Sequence, residues 1–235
     1  MRRPAGPHGE GAAGKVRTVV AVYTGQGLID PVKAVFAELL PECRLVNILD
    51  DGIIAELQGG GITPAIARRL TQYYHQAEDM GADVIFSTCS SVSEVAAAAR
   101  AFVRVPIVQI DESMAEQAVS RYGAIGVLAT LPTTLGPTVR LMQTTAARLG
   151  RQVSLVQGLA EGAYDALVAG RPEEHDRRLA ETARGLADRV DALVLAQGSM
   201  ARMEEGLAAL TGRPVFSSPR LGVMNVRAVL ERLPA

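Results

Sequence analysis

Cys89 lies in the segment Ser87-Thr88-Cys89-Ser90-Ser91. Just upstream, residues 84–87 are an apolar stretch that reads as a buried strand. Downstream come Val95 and four successive alanines, a strongly helix-forming composition. A thiol therefore falls where a parallel strand ends and a helix begins, the place at which open α/β sheets bind their ligands. Free backbone N–H groups and the helix dipole favour an anion there. The same field is expected to lower the thiol pKa and enrich the thiolate, making Cys89 a candidate acid, base or nucleophile. Against this stands simple packing, since free cysteine is among the most buried residue types.

A second set of residues could hold an anion. Thr24 and Gln26 follow the apolar run 16–23, Ser90 and Ser91 follow Cys89, and Thr130, Thr133 and Thr134 stand in the predicted loop 130–134. Gln197, Gly198 and Ser199 follow the apolar run 192–196. Hydroxyls and loop amides at strand ends can bind a carboxylate and stabilise charge that develops on it. Ser199 also suits a helix N-cap. Other residues carry less. His8, His75 and His175 lack metal-ligand spacing and read as tail or surface positions, so no metal and no cofactor is expected. Gly59-Gly60-Gly61 lacks the lysine and hydroxyl of a phosphate loop and reads as a mobile loop over a cleft. The segment 25–30 lacks the third glycine of a dinucleotide fingerprint. Asp50 and Asp51 read as a solvated turn, and Cys43 as packing.

The elements that position these residues form a repeat. Strands are predicted at 16–23, 44–49, 84–87 and 106–110, with helices at 31–40, 64–80, 93–102 and 114–122. The plan recurs with strands at 124–129, 153–157, 192–196 and 214–217 and helices at 137–149, 173–190 and 221–233. Asp83 and Asp191, which open the third strands, are 108 residues apart, as are Pro106 and Pro214; Thr24 and Thr130 are 106 apart. Arg68-Arg69-Leu70 returns as Arg177-Arg178-Leu179 in the second long helix. So regular an offset implies two α/β lobes, each a short mostly parallel sheet flanked by helices, related by a pseudo-twofold. Residues 1–15 read as a disordered tail, 16–112 as the first lobe with a returning C-terminal helix at 219–235, and 113–218 as the second lobe. The strand-end loops at Thr24, Cys89, Thr130 and Gln197 would then converge on one cleft.

Taken together, these residues resemble the aspartate/glutamate/hydantoin racemase superfamily over about residues 16 to 233. In that superfamily each lobe supplies a cysteine at the end of its third strand, with the substrate between them. Cys89 matches the first. The pattern of the second is similar to Leu195-Ala196-Gln197-Gly198-Ser199-Met200, with Gln197 in the cysteine position. The segment 129–134 is similar to a threonine-bearing loop that holds substrate carboxylate. The resemblance implies a cofactor-independent enzyme acting on a small carboxylic acid. An amide does not titrate near neutral pH, so Gln197 can donate a hydrogen bond or orient a water but cannot be a second base. One-thiol chemistry is therefore the first expectation: a decarboxylase-like lyase or an isomerase. A racemase with a non-cysteine second base and a non-catalytic acid-binding protein are the alternatives.

Composition bounds the partners. The net charge of −1 gives no basic surface for nucleic acid or anionic membrane, and no apolar run reaches the roughly 20 residues of a membrane span. Tryptophan is absent and aromatics are only 4 %, which argues against base-stacking platforms. Two unframed cysteines fit a reducing cytoplasm. A homo-oligomer, dimer or higher, is the expected assembly.

Overall fold

A computed structural model describes residues 16–234; the predicted tail at 1–15 lies outside the described residues. The first half runs β1 (Thr18–Tyr23), α1 (Ile29–Leu39), β2 (Arg44–Leu49), α2 (Gly52–Gln58), α3 (Pro64–Asp79), β3 (Val84–Ser87), α4 (Ser93–Ala99), β4 (Ile107–Gln109) and α5 (Glu112–Arg121). The second runs β5 (Ala124–Ala129), α6 (Pro132–Arg148), β6 (Ser154–Leu159), α7 (Ala163–Val168), α8 (Pro172–Ala187), β7 (Ala192–Leu195), α9 (Glu204–Thr211), β8 (Val215–Phe216) and α10 (Ser218–Arg232). The strands form two four-stranded parallel sheets of matching order, β2-β1-β3-β4 and β6-β5-β7-β8.

Valine-rich central strands covered on both faces explain the near-continuous apolar runs. In β1, Val20 and Val22 pack with Leu70 and Tyr74 of α3, while Val19, Ala21 and Tyr23 pack with Phe36 of α1. In the second sheet Ile125 and Val127 face α5 and α6, whereas Leu128 faces Leu179 and Ala183 of α8. The two landmark aspartates do the same job: Thr18 N–H donates to Asp83 at 2.8 Å and Ala124 N–H donates to Asp191 at 2.8 Å. Each carboxylate thereby caps the first residue of its lobe's central strand.

The two helices that follow the fourth strands exchange sides. Met114, Ala115 and Ala118 of α5 are buried against β5 and β7, while Val223, Val226 and Leu230 of α10 are buried against β1, β3 and α1. Gly222 makes this crossing possible. A Cβ there would lie 2.6 Å from Ile110 O and 3.0 Å from Ile110 Cα, and backbone atoms cannot swing aside. Gly222→Ala is therefore expected to destabilise the fold by about 1–3 kcal/mol, the usual scale of overpacking. Urea unfolding measures it; an unchanged midpoint and slope would show that the helix rides freely over the joint.

Several boundaries depart from the sequence reading. The helix predicted from Pro137 begins at Pro132, which takes the first-turn position open to proline. Thr133 and Thr134 consequently lie on the first turn of α6 and not on a loop. Three short helices, α2, α7 and α9, had no expectation. Gly59–Gly61 ends α2, with Gly61 at φ +75°, and none of the three lines the main cleft.

Candidate active site

A cleft of about 650 Å³ opens between the two sheets, and both lobes line it. Its floor is built from the ends of the first and third strands of each. The pairing is the same twice over. In the first lobe Thr24 stands beside Cys89, close enough for its hydroxyl to lower the thiol pKa. In the second, the Thr130 backbone N–H and hydroxyl both donate to Gln197 Oε1, at 2.7 and 2.9 Å. A backbone N–H can only donate, so the amide must present its oxygen to Thr130 and turn its NH₂ away. Among the described residues that NH₂ has no hydrogen-bond partner.

Cys89 ends an extended segment (φ −120°, ψ 114°) and precedes a single 3₁₀ turn, Ser90–Val92, before α4 begins. The residue keeps some surface, yet the thiol is packed densely enough that burial is the largest influence on it and pushes its pKa up. The neighbouring Thr24 hydroxyl and the Ser91 backbone N–H and hydroxyl favour the thiolate and pull it back in part, and the nearby Asp111 carboxylate raises it again; the Ser91 hydroxyl itself makes no full hydrogen bond. This corrects the expectation of a thiol activated at rest. The helix behind Cys89 is only seven residues long and starts four residues on, so its dipole is a small contribution. Alkylation of Cys89 by iodoacetamide at pH 8 should accordingly be slower than that of free cysteine. A faster rate would show that the dipole and the neighbouring Thr24 and Ser91 donors outweigh burial.

Of the sequence candidates, Cys89, Gln197, Thr24, Gln26, Ser90, Ser91, Thr134, Gly198 and Ser199 all line the cleft. Thr130 and Thr133 do not. Thr130 acts from behind, as the anchor of Gln197, and the buried Thr133 hydroxyl has no partner in the protein. Thr134 lines the cleft while its own hydroxyl donates to Leu131 O at 2.9 Å. Asp51, read as a turn residue, reaches the cleft and accepts from Gln26 Nε2 at 2.7 Å. Asp50 is taken up by Arg69 at 3.1 Å and Tyr73 at 2.8 Å.

Sequence reasoning missed Ile54 of α2 and Tyr164, Leu167 and Val168 of α7, which wall the mouth. Six- and seven-residue helices are too short to show a periodic pattern. It also misplaced His175, which is 1 % exposed and not a surface residue. It shares the inward face of α8 with Leu179, Ala183 and Leu186, and its Nδ1 lies 2.7 Å from Asp176 Oδ1. Asp111, just past β4, was not singled out at all. It is fully buried and pushed up to about 6, chiefly by that burial. The Ser90 hydroxyl and the Asp111 backbone N–H pull it partway down, but no donor reaches either carboxylate oxygen with full hydrogen-bond geometry.

The family model of the Asp/Glu/hydantoin racemases matches residues 50–226, well over half of the sequence. This chain belongs to that family. Among curated proteins a sequence search finds no match. Solved structures share the racemase fold at low identity. Glutamate racemase RacE1 from Bacillus anthracis superposes with a TM-score of 0.73 at 13 % identity, covering 92 % of this chain and 82 % of that one. Allantoin racemase from Klebsiella pneumoniae gives 0.65 at 16 %, covering 92 % and 88 %. A putative Asp/Glu racemase from Yersinia pestis gives 0.69 at 18 %, covering 92 % and 100 %. In this racemase-family chain, no group of three or more His, Cys, Asp or Glu among the described residues could hold a metal. No helix of the described residues is long and apolar enough to cross a membrane.

Proposed function

We propose that this racemase-family protein is a cofactor-independent isomerase that moves a proton at the carbon next to the carboxylate, or equivalent carbonyl, of a small acid. The observation that carries the reading is the twofold-related floor: Thr24 beside Cys89 in one lobe, Thr130 bonded to Gln197 in the other, on a shared cleft. Hydroxyls of Thr24, Ser90, Ser91 and Ser199 would receive the acid group and stabilise charge developing on its oxygens. The Cys89 thiolate takes the α-proton; the C–H bond breaks, an S–H bond forms, and the electron pair passes into the enediolate. Reprotonation from the same face regenerates the starting enantiomer, and from the opposite face gives its mirror image.

The second lobe must then supply a proton carrier. Gln197 is an amide and cannot serve. Among the described residues the only ionisable side chain that lobe contributes to the lining is Tyr164, so Tyr164, or water that the Gln197 NH₂ orients, fills the role. A second reading is favoured by Gln197 itself. With a single thiol, one-face protonation after loss of CO₂ from a malonate-type diacid needs no second base and gives one enantiomer. A reducing compartment such as the cytoplasm suits either reading, because both need the thiol free.

Deuterated water separates the two. Racemisation predicts that enantiopure acid loses optical activity as deuterium enters its α-carbon, and that Gln197→Cys speeds this by adding a titratable group on the second face. One-face chemistry predicts CO₂ release from the diacid and a single labelled enantiomer that does not racemise. Neither exchange nor CO₂ release with any small acid would overturn the proposal.

A further inference from the structure

Cys89 and Asp111 follow neighbouring strands in the same register. β3 and β4 pair in parallel, with Ile85 opposite Ile107 and Ser87 opposite Gln109. The Ile110 N–H carries the ladder past the end of β4 by donating to Ser87 O at 2.9 Å. Two residues beyond the Ser87–Gln109 pair stand Cys89 on one chain and Asp111 on the other. Residues two apart share a face of a strand, and paired strands lie about 4.8 Å apart. The thiol and the carboxylate are therefore neighbours, on the face where Ile85, Ile107 and Cys89 pack with α3 and α4. Among the described residues no cation is paired with that carboxylate. It is fully buried, and neither oxygen makes a full hydrogen bond. Glu112 of α5, beside it, has the same sign. Arg100 of α4 is held by Glu112 at 2.7 and 2.8 Å and by Ile107 O at 2.9 and 2.6 Å. On α3 the Tyr74 hydroxyl is bonded to Ser87 Oγ at 3.0 Å. Asp111 does not line the cleft, so any effect it has on the substrate passes through Cys89.

We propose that Asp111 is a positioning residue that sets the basicity of Cys89: its unpaired carboxylate holds the proton on sulfur near neutral pH and makes the thiolate, once formed, a stronger base towards carbon. This deepens the proposed function and rests on Cys89 being its proton carrier. A C–H bond next to a carboxylate is a very weak acid. A base that binds its proton more tightly removes such a hydrogen faster, although less of that base is ionised at rest. Asp111 takes no proton from the substrate. The C–H proton passes to sulfur, and the carboxylate stays ionised beside it.

The test needs no acid substrate. Methyl methanethiosulfonate reacts with thiolates: an S–S bond forms and methanesulfinate leaves. Its rate of reaction with Cys89 in the full chain is followed from pH 4.5 to 8.5 by mass spectrometry of the Cys89 peptide, which separates it from Cys43. An isolated thiol reacts about tenfold faster per pH unit below its own ionisation. Where Asp111 ionises, near pH 6, the wild-type rate should climb by less than tenfold per unit, because each new carboxylate charge makes the thiol harder to ionise. Asp111→Asn should climb about tenfold per unit throughout. It should match wild type within about twofold at pH 5, where Asp111 is protonated, and react at least about threefold faster at pH 8. A wild-type rate that rises tenfold per unit straight through pH 6 would overturn the proposal, and that profile decides even if the variant does not fold. A variant faster by the same factor at pH 5 as at pH 8 would also overturn it, since looser packing and not charge would then be the cause. Coupling in this profile with no α-proton exchange by any small acid would overturn the proposed function, and the catalytic role of Asp111 with it.

Discussion

Replacing Cys89 with serine is expected to slow turnover by at least about 10²-fold, the scale of losing a positioned acid–base group, with little change in unfolding midpoint. Serine nearly matches cysteine in size and would stand beside the same Thr24 and Ser91 donors. What it loses is titration: a hydroxyl has a far higher pKa than a thiol and cannot exchange a proton with carbon on the enzymatic timescale. Because burial already holds the Cys89 pKa above its ordinary value, the wild-type rate of α-proton removal should rise with pH into the alkaline range as thiolate accumulates, and the serine variant should lack that limb. Exchange in deuterated water, followed from pH 6 to 10, reads both effects. A serine variant with full activity would move the chemistry away from Cys89.

The second large effect concerns stability. Asp111 has a folded pKa of about 6 against an ordinary value of 3.8. Its pKa is raised, so the folded protein binds the proton more tightly than the unfolded chain. Below about pH 4 both states are protonated and burial of the neutral acid carries no ionic penalty. As pH climbs from about 4 to 6 the unfolded chain ionises first and the native state falls behind. Above about 6 the full penalty is present, on the order of 3 kcal/mol. Asp111→Asn removes it. The variant should therefore gain stability relative to wild type by about 2–3 kcal/mol on going from pH 4 to pH 7.5, measured by urea unfolding at each pH. The pH dependence of the difference is the test, since the amide has its own cost of burial at every pH. A flat difference would mean that Asp111 is satisfied in solution. The same substitution removes a negative charge near Cys89 and should speed alkylation of the thiol at pH 8; a purely structural Asp111 would leave that rate alone.

The two-sheet architecture was legible from residues alone because each lobe repeats the same landmarks. Asp83 and Asp191 recur since each must cap the N–H that opens its central strand, and the valine-rich runs recur since each central strand is covered on both faces. Cys89, Gln197 and most of the hydroxyls of the cleft were also legible, because their place is fixed by chain order: the residue that ends a parallel strand must face the sheet's carboxyl edge. Where a proline relocates a helix start, as at Pro132, even that reading slips, and Thr133 turned out not to line the cleft at all.

What the sequence by itself determined is therefore the inventory of the floor: one thiol, one amide in the matching place, and threonines at both first-strand ends. The tertiary structure decided the rest. Whether Cys89 rests as thiol or thiolate depends on the sum of burial, the nearby donors of Thr24 and Ser91 and the field of Asp111, a residue 22 positions away that only the packing of β4 beside β3 brings near. The chemistry of the mouth depends on α2 and α7, which are more than a hundred residues apart and too short to announce themselves, and which meet only because the two sheets close on one another. Local residue order sets what a strand end carries; desolvation and the facing of distant helices are properties of the closed fold.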